Sequence, residues 1–218
     1  MGESSRPPST AERPSSVAPR TKTILPAIPG TTVTQALAKG TNYLHLKSFL
    51  DAKVGVHAWP DLMTKVEPAD RVVLESMVSI GWYPSGIGAR LFRVADAMFG
   101  HGDLAFVTEV GRFSAEDDLN GIQRLFLRLL NPVLILEKSR DYWSRFHNTG
   151  QWTVERHGPR SATGSLAGWS VVDLAACAHI EAYVVRMYEL VGAKRVHFEQ
   201  TRCRARGDEV CSFSGEWR

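Results

Sequence analysis

The C-terminal stretch Val196-His-Phe-Glu-Gln-Thr-Arg-Cys203-Arg-Ala-Arg-Gly-Asp-Glu-Val-Cys211-Ser-Phe-Ser-Gly-Glu-Trp217 sets the fold class. It reads as two strands, Val196 to Arg204 and Val210 to Trp217, folded about Gly207-Asp208, where glycine supplies the positive φ of a tight turn. With the turn centred on Gly207, Cys203 and Cys211 face each other. Directly opposed residues have Cβ atoms about 4.5–5.5 Å apart, close enough to share a tetrahedral ion and wide for an unstrained disulfide. Upstream, Leu174, Cys177, Ile180, Val184, Met187 and Val191 recur at three- and four-residue intervals and predict a helix that Gly192 ends. Cys177 lies on its sheet-packing side, so all three cysteines of the chain converge beneath one helix. Three thiolates leave one position of a zinc ion open, with Gln200, Glu199, His197, Glu181 and His179 as the nearby donors. No cysteine pair has the short spacing of a zinc finger. The other reading of the same residues is three buried free thiols, because free cysteine is among the most buried residue types.

Working outward, Trp152, Val154, the Gly158-Pro159 turn, Thr163, Ser165 and Ala167 punctuate an earlier antiparallel hairpin. Before it, the chain from Gly30 to about residue 147 reads as helices. Asn42 to Val54 presents Tyr43, Leu46 and Leu50 on one side, and Trp59-Pro60-Asp61 and Pro68 open two short helices. Ser85 to Phe99, Leu104 to Ala115, Leu119 to Leu130 and Val133 to Phe146 follow, with Gly100 and Asn131-Pro132 as breaks. The sum is an α+β protein: an N-terminal helical half, then a four- or five-stranded antiparallel sheet covered by helices. Residues 31–218 are expected to form one domain. Residues 1–30 hold six of the eleven prolines together with Ser4, Ser5, Ser9, Ser15 and Ser16, the composition of a disordered arm.

Composition narrows the function classes. At 44% hydrophobic, 218 residues close a substantial core, and no apolar stretch approaches the roughly 18 residues of a membrane span. Sparse, odd-numbered cysteines point to a reducing compartment, hence the cytoplasm. A net charge of +3 gives no footprint for nucleic acid, and Arg202, Arg204 and Arg206 fall on a solvated strand face. Catalysis finds no support: the chain lacks a phosphate loop, a nucleophile elbow and a zinc-protease helix. Glu116, Asp117 and Asp118 sit at a helix junction, where carboxylates cap the following helix. His147 and His157 flank the first hairpin and read as exposed polar residues.

The order of a helix cysteine, a strand, Cys203, polar residues with glycine, Cys211, then Phe213 and Trp217 resembles the 4-vinyl-reductase-type domain. That module occurs alone in bacterial and archaeal proteins and in the sensory half of phenol-responsive activators. The resemblance implies zinc held by Cys177, Cys203 and Cys211, with Gln200 standing where the family has glutamate. Trp82-Tyr83-Pro84, Glu109-Val-Gly-Arg-Phe-Ser-Ala and Leu125-Phe-Leu-Arg-Leu-Leu also look like stand-alone members, over roughly residues 32–218. It further implies a small apolar or aromatic ligand between helices and sheet. The aromatic candidates for that pocket are Trp82, Tyr83, Phe126, Trp143, Phe146 and Trp152, with Tyr142 and Trp169 beside them.

Tyr142-Trp143-Ser144-Arg145 approximates the Y-x-S-x-R motif of haem-binding sensors of a similar fold, but the serine-to-arginine gap differs, so no haem is expected. Two classes remain. One is a non-catalytic regulatory module that binds a small apolar ligand, forms a homodimer and signals to a protein partner in trans. The other is an interaction or adaptor module, a homodimer without ligand. An exposed apolar helix face favours the second, a polar-anchored pocket the first.

Overall fold

Asn131 accepts a hydrogen bond from Leu134 N at 3.0 Å ahead of Pro132, and Asp173 accepts one from Ala175 N at 2.8 Å; these caps start the two helices that enclose the sheet. In a computed structural model of the chain, residues 35–119 and 131–218 are described. The expected arm at 1–30, the helix expected from Leu119 to Leu130 and Phe126 within it lie outside them, apart from Leu119 itself. The elements run β1 (Leu37–Lys39), α1 (Thr41–Lys53), α2 (Ala58–Lys65), α3 (Pro68–Glu75), β2 (Trp82–Pro84), α4 (Gly86–Phe99) and α5 (Ala105–Asp118). They continue with α6 (Pro132–Phe146), β3 (Gln151–Gly158), β4 (Ser161–Ala167), α7 (Leu174–Leu190), β5 (His197–Arg202), a 3-10 turn (Arg204–Arg206) and β6 (Cys211–Glu216). This is the expected α+β order, a helical half followed by a four-stranded antiparallel sheet, with no helix among the described residues long and apolar enough to cross a membrane.

The sheet order is β3-β4-β6-β5. Along β4, Ala162, Gly164 and Leu166 turn inward while Ser161, Thr163 and Ser165 turn out. A register shift between Gln200 and Arg202 moves the β5–β6 pairing to Arg202↔Ser212, so Cys203 and Cys211 are the next positions along. Cys203, expected inside a strand, instead ends it: its N–H donates to Asp208 Oδ2 at 2.7 Å, and the 3-10 turn with Gly207 at φ 101° makes the reversal. The helical reading of residues 30–147 passed over a two-stranded sheet, β1 with β2, whose strands are too short to show alternation. Its inner end is tied to the close of α6 by Asn148, whose Oδ1 accepts from Leu37 N at 2.6 Å and whose Nδ2 donates to Gln35 O at 3.0 Å.

Two main cores result. One joins α1, α2, α4 and α5 through Leu46, Phe49, Leu50, Leu62, Leu91 and Val107, with Phe49 edge-on to Phe106 at 5.3 Å. The other lies under the sheet around Trp152, Leu166, Trp169, Cys177 and Phe213. α7 joins them. It crosses α5 at Gly111, where an added Cβ would lie 2.5 Å from the carbonyl oxygen of His179. Since that oxygen belongs to helix backbone, it cannot yield as a side chain would. Gly111→Ala is therefore expected to destabilise the protein by about 1–3 kcal/mol despite alanine's higher helix propensity. Urea unfolding checks it; an unchanged midpoint would show that α5 and α7 separate freely.

Candidate functional site

Between the helical half and the inner face of the sheet lies a cavity of about 430 Å³, within the range of small-ligand pockets. Asn42 and His45 of α1 and Gly88, Ala89 and Phe92 of α4 line one side. α6 gives Trp143, Phe146 and, just past its end, His147, while α7 gives His179, Ile180, Tyr183 and Val184. The sheet side is Trp152, Val154, Gly164, Phe198 and Gly215, with Trp169 alongside. Gly164 makes room for an indole: a Cβ there would sit 2.5 Å from the Trp152 ring.

The polar groups are few and specific. Asp118, at the end of α5, faces His45 Nε2 at 3.0 Å and accepts from the hydroxyls of Tyr183 at 2.7 Å and Tyr142 at 3.3 Å. Burial pushes its pKa up, but the His45 hydrogen bond and charge, with the two tyrosine hydroxyls, outweigh that and hold it below the usual carboxylate value. Burial first, and then the Asp118 charge, push the Tyr142 phenol up; burial, Tyr142 and Asp118 do the same for Tyr183, so both stay protonated donors. Asp118 is thus a half-buried hub that joins α5 to α1, α6 and α7. The expectation that it caps a helix from outside is corrected.

His147 and His179 are neutral for the same reason. Burial lowers His147 to about 4, and burial with a smaller contribution from His45 lowers His179 to about 3. His179 is committed, its Nε2 3.1 Å from Ser114 Oγ and its ring stacked on Phe92 at 4.7 Å. His147 stacks on Trp143 at 4.0 Å with Nε2 3.4 Å from Asn42 Nδ2, and its buried Nδ1 has no hydrogen-bond partner among the described residues. The expected exposed role for His147 is therefore corrected. The i,i+4 spacing from Trp143 carries it under the same helix face.

Of the aromatic candidates, Trp143, Phe146 and Trp152 line the cavity. Trp82 and Tyr83 do not: Trp82 is 41% exposed beneath Lys39, and the Tyr83 hydroxyl accepts from Val78 N at 2.9 Å. Strand β2 pairs Trp82 with Lys39 and Tyr83 with Ala38 of β1. The cysteine sulfurs do meet, Cys177 to Cys211 at 3.7 Å and Cys203 to Cys177 at 3.9 Å, all three buried. Burial pushes the Cys177 thiol up, the neighbouring Cys211 and Cys203 add to it, and the nearby Gln200 amide opposes it.

No protein-family model matches the chain, and no curated protein matches it. Solved structures do. An H-NOX protein from S. oneidensis in the Fe(II) ligation state, a triple mutant, superposes with a TM-score of 0.65 at 14% identity over 83% of this chain and 96% of that one. The H-NOX domain from Shewanella oneidensis in the Fe(II)CO ligation state gives 0.63 at 13%, covering 83% and 98%. An Fe(II) unliganded H-NOX protein from K. algicida gives 0.61 at 14%, covering 83% and 96%. A further match, at 0.60 and 10%, is a structure concerned with heme redox potential and protein-induced porphyrin distortion. The chain has the H-NOX fold.

Two expectations are thereby overturned. The resemblance to the 4-vinyl-reductase-type domain is corrected, since the solved structures described above, matched over 96–98% of their own length, are H-NOX proteins. Its motif was local, a cysteine helix and a cysteine hairpin, and did not discriminate between families. The zinc expected at Cys177, Cys203 and Cys211 finds no support in these structures, and the neutral amide of Gln200 is a poor fourth ligand. The exclusion of haem is also withdrawn, because these neighbours are iron-bearing.

The residues present fit a haem at its iron and along its faces. His147 offers a neutral imidazole whose Nδ1 carries the lone pair when Asn42 turns its amide oxygen toward Nε2. Trp143, Phe146 and Val184 supply flat and apolar walls. Lys138 is the cation in the wall, and Phe146 occupies the position four after Tyr142, where the approximated motif places arginine.

The depressed histidines make stability pH-dependent. The unfolded chain, with histidine pKa near about 6.5, binds protons that the folded protein resists. Their contribution is complete above that value and is lost as pH falls through about 4 for His147 and about 3 for His179. Melting temperature is expected to drop below about pH 6.5, and His179→Phe to flatten that drop. An equal slope in the variant would show that His179 is not held neutral.

Proposed function

We propose that the chain is a non-catalytic regulatory module that holds a flat, largely apolar molecule in the cavity, with haem as the occupant and His147 as its iron ligand. One observation carries this: a buried, neutral imidazole whose Nδ1 has no partner among the described residues stands in the wall of an apolar cavity. Such nitrogens are ordinarily paired, so an unpaired one beside open space invites a Lewis acid. When bound, a haem supplies an iron with a position open to a small molecule. Trp143, stacked on His147 and fixed by its own N–H donating to Thr149 O at 3.1 Å, orients the imidazole. Asp118, His45, Tyr142 and Tyr183 keep a charge in the wall fully paired and so leave the remainder apolar. In this reading residues 31–218 act as one module in the cytoplasm, 1–30 are an arm, and the output passes in trans to a protein partner or a second copy.

Haemin titrated into the purified protein is expected to give a saturating Soret band at one equivalent. His147→Gly is expected to lose at least about tenfold in affinity, the cost of one good bond, and to recover with added imidazole. His101→Gly, at an exposed loop position outside the cavity lining, should bind haemin as wild type does. A flat titration with wild type would remove haem and leave the second reading, a metal-free apolar ligand, which the apolar wall of Val154, Ile180, Val184 and Phe198 favours.

A further inference from the structure

Four indoles lie in the cavity wall, and two of them have no use for their N–H. Trp143 spends its own on Thr149 O. Trp152 Nε1 and Trp169 Nε1 are buried, have no partner among the described residues, and belong to residues only 7% and 5% exposed. Both rings pack on Trp143, Trp152 stacked with centroids 6.1 Å apart and Trp169 edge-on at 5.4 Å. A buried indole N–H normally finds an acceptor, and leaving one unmade costs about 1–3 kcal/mol. Two in one small cluster at a cavity wall is a pattern that a ligand resolves.

The acceptor's chemistry follows from what surrounds it. Indole N–H is a donor only, so the complementary atom is an acceptor, and the flat stack selects a planar ring system to carry it. Trp152 sits on the sheet side between Gly164 and Phe213, and Trp169 packs against His147, which is neutral. Neutral donors in an apolar wall suit a neutral oxygen: a buried carboxylate needs a cation or several charge-assisted bonds to offset its desolvation. We infer that Trp152 and Trp169 form a subsite for a carbonyl oxygen on a flat, apolar molecule. This rests on the reading of the cavity as a ligand site and deepens it. The oxygen that fits is that of a free aromatic ketone or quinone; the ionised carboxylates of a porphyrin are the wrong acceptor for it.

The test compares 2-methyl-1,4-naphthoquinone with 2-methylnaphthalene, which has the same rings and methyl group but no oxygen. Wild type is expected to bind the quinone more tightly by about tenfold, the worth of one to two net hydrogen bonds. Trp152→Phe and Trp169→Phe keep a ring and lose the N–H; each is expected to bring the two affinities closer by roughly threefold or more while leaving the hydrocarbon's binding within about twofold. Equal affinities in wild type, or a preference that both variants retain, would overturn the inference while leaving the cavity a ligand site. Binding of none of the quinone, the hydrocarbon or haemin would overturn the cavity reading and the subsite with it. If haemin binds, the quinone does not, and the phenylalanine variants weaken haemin, the acceptor is a carboxylate and the inference of a neutral carbonyl is overturned.

Discussion

The contact on which the molecule depends is the crossing of α5 and α7 at Gly111. Without a side chain there, the two backbones meet with the His179 carbonyl in van der Waals range of the glycine. That approach puts His179 against Ser114 and Phe92 and so locks the helical half to the helix that covers the sheet. Around its rim, Arg112 and Arg186 share Glu189, and Arg186 also reaches Glu116, both at 2.7–2.8 Å. Those pairs are partly exposed and contribute little each; the packing beneath them does most of the holding. Because α7 is fixed from the α5 side, its other face stands at a set distance from the sheet, and the cavity is the space left between.

Space of that kind persists only if nothing polar demands to fill it. Asp118 would be such a demand, yet it is met three times over, by His45, Tyr183 and Tyr142. Removing any one partner would strand part of a half-buried charge, which costs more than the pair itself gives. His179 is neutralised by burial and satisfied by Ser114. What remains unmet among the lining residues is Ser85 Oγ at the start of α4, His147 Nδ1 and the indole nitrogens of Trp152 and Trp169. Three of these four groups gather around Trp143, whose ring packs on each of theirs.

Much of this was legible in the residues and some was not. Helices announced themselves by Pro60, Pro68 and Pro132 at their starts and by three- and four-residue spacing, and they fall within a few residues of expectation. The convergence of Cys177, Cys203 and Cys211 was readable because helix periodicity and hairpin register are both local rules. Strands β1 and β2 escaped because three residues carry no period. Asp118 escaped because its tyrosine partners lie 24 and 65 residues further on, and adjacency in sequence pointed to a cap instead. Trp82 was misplaced for a related reason: an aromatic residue signals burial on average, and only the pairing of Lys39 with Trp82 sets which way it turns.

The family error has a similar origin. A cysteine helix followed by a cysteine hairpin describes how a helix is pinned to an antiparallel sheet, and that solution belongs to a fold before it belongs to any one chemistry. At 14% identity the superposition on H-NOX structures likewise fixes the path of the chain and nothing of its ligand. Function has to be argued from side chains. Phe146 lies four residues after Tyr142, its ring 4.8 Å from the tyrosine's, and adds a phenyl face to the cavity wall next to His147. An apolar face of that kind gives a buried carboxylate nothing to pair with. Much of the bonding capacity left unspent lies beside it, at His147 Nδ1 and at the indole nitrogens of Trp152 and Trp169. The fold leaves the space between helices and sheet, and this chain's own side chains set its chemistry.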